Sequence, residues 1–301
     1  MSIRRFGIQT GMRLAKFYSG FTHPTPLKLR KDFEKGLKML GKPAKSVEMA
    51  PHDYGDVPGN RFTPPDPVTD TSVMYLHGGG YLAGSSQEYA PFLTRLAAAA
   101  GLVVDAIDYR LAPEHPYPAA LDDSLQAYRA IVAAAPAKRV ILMGDSAGGG
   151  LTLSSLHALR DAQDPLPVLG ITLSAWTDLT NSGAAYRTRA RADPMITHAA
   201  MQEMAIAYPG GQACDLPGIS PLFGDFSGLP PLLMLVGDRE VLLDDTTRVV
   251  QKVHSAGGEV TLWVEPKMHH DWLLFPMPEG RKDIQRLGSK IQRFLKSGTL
   301  S

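Results

Sequence analysis

The sequence predicts an α/β fold: a mostly parallel central sheet flanked by helices, with a helical cap. Three observations predict it. Short apolar runs recur between stretches of helical periodicity, two of these runs end in glycine-rich turns, and one polar, arginine-rich stretch (178–222) interrupts the alternation. Strands joined by crossover helices lie parallel with both sheet faces covered. Right-handed crossovers then bring the strand C-termini to one edge, where ligands bind.

The elements follow in order. Residues 1–45 carry apolar positions at Ile3, Phe6, Met12, Leu14, Phe17, Tyr18 and Phe21, a loose helical stripe broken by Pro24 and Pro26. The same stretch holds eleven Lys or Arg against two acids, Asp32 and Glu34. A solvated basic helix face is the plain reading of that imbalance, and a transient contact with a membrane surface the sharper one. "TSVMYL" (71–76) reads as a buried strand, 87–100 as a helix closed by Gly101, and "LVVDAI" (102–107) as the next strand. Residues 118–134 read as a helix, "RVILMG" as a strand, 147–161 as a helix and "VLGITLS" (168–174) as a strand. After the interruption, which is helical over 197–207, come "PLLMLVG" (231–237), a helix at 244–256, "EVTLWVE" (259–265) and a last helix at 279–296. Residues 1–45 and an insertion at about 178–222 are expected to form a cap over a main domain spanning 46–301.

Bulk properties exclude several classes. With 301 residues, 44% of them hydrophobic, the chain can bury a large core. A net charge of +1 gives no reason to expect nucleic acid. No run approaches eighteen apolar residues, and Arg4 and Arg5 are followed by no apolar core of a secretory signal, so no stable membrane anchor is expected. Cys214 is the only cysteine, which rules out an intrachain disulfide and fits a reducing, cytoplasmic setting.

Two motifs carry chemistry. Gly144-Asp145-Ser146-Ala147-Gly148 stands where a strand meets a helix. So tight a turn leaves no room for Cβ atoms, and the helix N-terminus brings backbone N–H groups to the serine. Alone this pattern is weak, since a glycine-rich start of a helix reads the same way. The rarer His77-Gly78-Gly79-Gly80 directly follows the first strong strand. Three glycines let bare backbone approach a ligand and offer N–H groups to an oxyanion, whereas a flexible hairpin is the plain alternative. His77 itself is expected to brace its loop. The segment "DYRLAPEHPYPAALDD" (108–123) is an ordered loop leading into a helix, in which Asp108, Arg110 and Glu114 are expected to form a buried polar knot.

Taken together, His77-Gly78-Gly79-Gly80, Tyr109-Arg110-Leu111-Ala112-Pro113-Glu114 and Gly144-Asp145-Ser146-Ala147-Gly148-Gly149 resemble the hormone-sensitive-lipase family of bacterial esterases, which has the α/β-hydrolase fold. The likeness continues through Asp193-Pro194, Ser220-Pro221-Leu222 and the segments around 238–245 and 268–272, and so covers roughly residues 70–296. It implies a serine carboxylesterase working through an acyl-enzyme, and the cap candidates, placed over the strand C-termini, are expected to limit the substrates to short- to medium-chain esters. It also implies Ser146 as nucleophile, backbone donors at Gly79, Gly80 and Ala147, a small-molecule ester as partner and no cofactor or metal. Related esterases often dimerise near the last strand, so a homodimer is expected as well.

A serine nucleophile needs a histidine held by a carboxylate, in the chain order Ser, acid, His. His254 falls within a predicted helix and reads as a surface residue. Of the pair His269-His270, the family pattern Met-x-His-x-aromatic maps onto Met268, His270 and Trp272. His269 then shapes the loop or faces solvent. Four carboxylates are candidates for the acid: Asp238, Glu240, Asp244 and Asp245. The last two read as helix caps, Asp238 follows Gly237 closely enough to tie down the turn, and alignment to the family selects Glu240, with Asp238 as runner-up. The commoner family pattern has Asp followed by Pro here, so Glu240 is a departure. Asp145 is expected to brace the serine turn. Met195, Met201 and Met204 are candidates for an adaptable pocket wall, with core packing as their plainer reading. A lactone hydrolase or amidase would use the same triad. A non-catalytic small-ligand receptor is disfavoured by the presence of both His270 and Glu240, and a peptidase by the lack of room for a further domain.

Overall fold

Glycine-flanked apolar runs set the centre of the fold. The computed structural model describes residues 7–13, 16 and 25–300. Eight strands form one sheet: β1 (Glu48–Tyr54), β2 (Val57–Thr63), β3 (Val68–Leu76), β4 (Leu102–Ile107), β5 (Arg139–Asp145), β6 (Leu169–Leu173), β7 (Leu232–Gly237) and β8 (Val260–Glu265). Their order is β1-β2-β4-β3-β5-β6-β7-β8. The six strands β3 to β8 pair in parallel, as their short apolar runs require, while β2 pairs antiparallel with both β1 and β4.

Helices cover both faces. α1 (Pro26–Leu37) precedes the sheet, followed by α2 (Ala90–Ala100), α3 (Ala119–Ala134), α4 (Ser146–Asp161), the short α5 (Ala185–Thr188), α6 (His198–Ala207), α7 (Leu243–Ser255) and α8 (Pro278–Ser297). Alternating side chains of each strand point to opposite faces. Accordingly Met74, Leu142 and Met234 join α3, α4 and α7 in one apolar core, and Val73, Ile141 and Leu233 join α2 and α8 in the other. Such burial on both faces is what makes these strands near-continuous apolar runs. β8 is an edge strand: Trp263 is buried, while Leu262 and Val264 are exposed.

Residues 178–222 contain α5, α6 and a 3-10 turn at Pro221–Phe223, and no strand. Residues 7–13 are helical, and Met12 is buried against the α2/α8 core. The other members of the N-terminal stripe (Ile3, Phe6, Leu14, Phe17, Tyr18 and Phe21) lie outside the described residues. Lys16 donates to the carbonyls of Ala190 and Asp193, both at 2.8 Å, so the N-terminal segment is tied to the insertion. Among the described residues no helix is long and apolar enough to cross a membrane.

Candidate active site

The serine turn is built by its neighbours. β5 delivers Asp145 in extended geometry and α4 starts at once, which forces Ser146 to φ 51°. A non-glycine residue there is strained, and the surroundings hold it in place. A Cβ on Gly144 would collide with the carbonyl of Gly148, and one on Gly148 with the carbonyls of Leu76 and His77. The glycines are therefore steric requirements of the close approach between the serine turn and the end of β3.

His270 and Glu240 reach this serine from two further loops. Ser146 Oγ lies 3.0 Å from His270 Nε2, and His270 Nδ1 lies 2.9 Å from Glu240 Oε2. The other oxygen of Glu240 accepts from Ser174 Oγ at 2.8 Å and from the Gly237 N–H at 2.5 Å. Glu240 is fully buried, His270 nearly so, and Ser146 is partly exposed. Burial pushes the Glu240 carboxyl upward, and the imidazole opposes the shift. Burial disfavours charge on His270, yet the carboxylates of Asp271 and Glu240 outweigh it and raise the imidazole well above its ordinary value.

The remaining candidates fall elsewhere. Asp238 Oδ1 accepts the Lys267 N–H at 2.6 Å and so ties down the turn. His254 is exposed on α7. His269 does not face solvent: it is fully buried, its Nδ1 lies 2.8 Å from the His270 carbonyl, and burial lowers it to about 4. Asp244 and Asp245 do not cap α7, whose N-cap is Leu242 without a side-chain hydrogen bond. They turn instead to the insertion, where unpaired backbone N–H groups need acceptors: Asp244 takes that of Ala185 at 2.8 Å, and Asp245 those of Thr177 at 2.8 Å and Asp178 at 2.9 Å.

The glycine loop faces the serine turn. The N–H groups of Gly79, Gly80 and Ala147 donate to no protein acceptor among the described residues. Asp145 braces the loop from below, accepting the Gly78 N–H at 2.8 Å and the hydroxyls of Tyr75 at 2.6 Å and Tyr89 at 2.9 Å. His77 stacks on Tyr109 with ring centroids 4.3 Å apart, and Tyr109 donates to the His77 carbonyl at 2.6 Å. The expected knot of Asp108, Arg110 and Glu114 does not form, because each finds a nearer partner elsewhere. Asp108 accepts from the Ser86 backbone and hydroxyl, Arg110 pairs with Asp123 at 2.6 Å, and Glu114 pairs with Arg30 of α1 at 2.6 Å.

Both cap candidates reach the loop. A Cβ on Gly79 would come within 3.1 Å of the Phe33 ring of α1, and one on Gly80 would strike the sulfur of Met204 of α6. Tyr208, just past α6, stacks on Tyr81 with ring centroids 3.6 Å apart. Met201 is buried in the core and Met195 packs against the α2/α8 side. Of the three methionines, Met204 is thus the one set against the glycine loop. Among the described residues no three His, Cys, Asp or Glu side chains are grouped as metal ligands.

Sequence reasoning missed Asp271. Its Oδ2 lies 2.9 Å from His270 Nε2, the same nitrogen that faces Ser146. The available signal was a charged residue at the free position of Met-x-His-x-aromatic.

Comparison with known proteins places the chain in a family. Residues 73–274 match the alpha/beta hydrolase fold family. An acetyl-hydrolase of Streptomyces hygroscopicus is 42% identical over 231 residues, 76% of each chain. An esterase of Acinetobacter venetianus is 33% identical over 70% of this chain and 71% of its own. The crystal structure of an esterase from the bacterial hormone-sensitive lipase family superposes with a TM-score of 0.91 at 35% identity, covering 97% of this chain and 98% of that one. The fold thus defines an α/β hydrolase. More narrowly, the chain belongs to the hormone-sensitive-lipase family of bacterial esterases within the alpha/beta hydrolase fold.

Proposed function

We propose that the chain is a serine carboxylesterase in which Ser146, His270 and Glu240 form the catalytic triad and short- to medium-chain esters are the substrates. That it is a carboxylic ester hydrolase of the alpha/beta hydrolase kind follows from its family. The observation that carries the finer reading is the continuous chain of contacts from Ser146 Oγ through both ring nitrogens of His270 to Glu240.

Chemistry follows from that line. Ser146 Oγ attacks the ester carbonyl carbon as neutral His270 takes its proton at Nε2. Glu240 accepts the Nδ1–H, which fixes the tautomer and stabilises the imidazolium. The oxyanion rests on the N–H groups of Gly79, Gly80 and Ala147, each worth on the order of 3 kcal/mol in the transition state. His270 then protonates the leaving alcohol, the C–O bond breaks, and water repeats the sequence on the acyl-enzyme.

Residues 1–45 and 178–222 act as a cap that limits the acyl chain. Phe33 and Met204, set against Gly79 and Gly80, support this. Hydrolysis of a chromogenic butyrate ester, abolished by a serine-directed organophosphate, is the expected result. An enzyme indifferent to the organophosphate contradicts the triad, and higher kcat/KM on long-chain triglyceride emulsions than on butyrates contradicts the size limit.

A further inference from the structure

Asp271 stands beside the reacting atoms and has no part in the triad or the glycine loop. It follows His270 in a left-handed backbone conformation, φ 51° and ψ 38°, that a residue with a Cβ rarely adopts. Its N–H donates at 3.1 Å to Ser174 Oγ, the hydroxyl that holds Glu240. This turn directs the carboxylate back at the imidazole, where Oδ2 lies 2.9 Å from Nε2. The other oxygen, Oδ1, is buried and has no hydrogen-bond partner among the described residues, and the residue as a whole is 5% exposed.

Proton counting on Nε2 shows what this arrangement lacks. When His270 works as the base, Nδ1 carries the ring proton toward Glu240, and Nε2 presents a lone pair to the Ser146 hydroxyl. Asp271 Oδ2 then faces a lone pair with no proton between them, and Oδ1 faces none either. A buried carboxylate in that condition is costly until a donor reaches it. After attack the Nε2 proton is destined for the leaving alcohol, so it satisfies Asp271 only in passing. In the reacting state, where Nε2 is unprotonated, a donor carried by the substrate satisfies it. That donor belongs on the alcohol side, because an acceptor 2.9 Å from Nε2 neighbours the oxygen to which that nitrogen delivers its proton.

We infer that the Asp271 carboxylate is a specificity-determining subsite that takes a hydrogen-bond donor, an ammonium or a hydroxyl, carried by the alcohol part of the ester. The inference rests on the triad reading above. The charged donor is favoured over the neutral one, because its bond to a carboxylate is charge-assisted. Alcohol parts bearing a carboxylate meet like charge from Asp271 and Glu240.

The test uses matched ester pairs at neutral pH. 2-(Dimethylamino)ethyl butyrate, cationic with one N–H, is compared with 3-methylbutyl butyrate, which has the same shape without charge or donor. 2-Hydroxyethyl butyrate is compared with propyl butyrate. The wild-type enzyme should favour the ammonium ester by about tenfold or more in kcat/KM, and the hydroxyl ester by less. Asp271→Asn and Asp271→Gly both tolerate the positive φ and should bring the ammonium ratio to about one. Each ratio is taken within one protein and divided by the same pair's ratio for hydroxide-catalysed hydrolysis, so a general loss of turnover and the leaving group's own reactivity both divide out. A wild-type ratio near one, or a ratio undiminished in both variants, overturns the subsite, and the wild-type value decides alone where the variants fail to fold. Turnover of both esters by Ser146→Ala would remove the triad reading instead, and the two failures are thereby distinguished.

Discussion

Asp145 holds Gly78: its carboxylate accepts the Gly78 N–H at 2.8 Å and so joins the serine turn to the glycine loop. Serine turn and glycine loop are thus tied together by a single buried side chain. Two tyrosine hydroxyls, of Tyr75 and Tyr89, complete its coordination. Asp145→Ala would leave three buried donors unpaired, an expected loss of about 3 kcal/mol or more. Urea unfolding should show that loss, and turnover should fall with it as the loop shifts. Wild-type stability and turnover in this variant would show that the loop needs no brace.

The imidazole predicts a pH profile. Burial disfavours charge on His270, but the carboxylates of Asp271 and Glu240 prevail and raise it well above the ordinary histidine value. The base works only when neutral, so a raised value delays activity to higher pH. The rising limb of kcat/KM should therefore lie alkaline of an ordinary histidine. Removing one carboxylate, in Asp271→Asn, should move the limb toward acid. A limb at or below the ordinary value, unmoved by the substitution, would contradict this balance of charges.

Identity of the acid separates two nearby carboxylates. Glu240 touches His270, whereas Asp238 accepts the Lys267 N–H in the turn. Glu240→Gln should cut kcat by roughly 10²–10⁴, since the wrong imidazole tautomer becomes preferred. Asp238→Asn should cost about 1 kcal/mol of stability with little change in kcat. Kinetics and unfolding on both variants decide the matter. The assignment moves to Asp238 if its variant is folded and inactive while Glu240→Gln turns over.

β8 predicts association. Leu262 and Val264 are exposed on an edge strand that has, among the described residues, no partner strand on one side. Such an edge favours pairing with a second copy. Light scattering at micromolar concentration should report a dimer, and Val264→Lys should shift it to monomer. A monomer at every concentration would exclude this pairing.

What the sequence revealed follows from where its signals are local. β3 to β8 are buried on both faces, so each stands out as an apolar run. β1 and β2 were missed: Pro51, Pro58, Gly59 and Asn60 break any apolar pattern in this antiparallel edge hairpin. Ser146 and the glycines were legible because steric crowding dictates their residue types. Charged partners were not, because nothing local tells Glu114 that Arg30, 84 residues away, will lie 2.6 Å from it. Asp271 was illegible for a related reason, since only the left-handed turn aims it at Nε2.

The central claim is that Ser146 Oγ is the atom that attacks. Its most direct test is the mass shift left by a serine-directed phosphonate, mapped by peptide sequencing and compared with turnover of a butyrate ester in Ser146→Ala. The account predicts one adduct per chain, located on Ser146, and a variant that is folded, unlabelled and inactive. Labelling at another residue, or turnover surviving in Ser146→Ala, would contradict it.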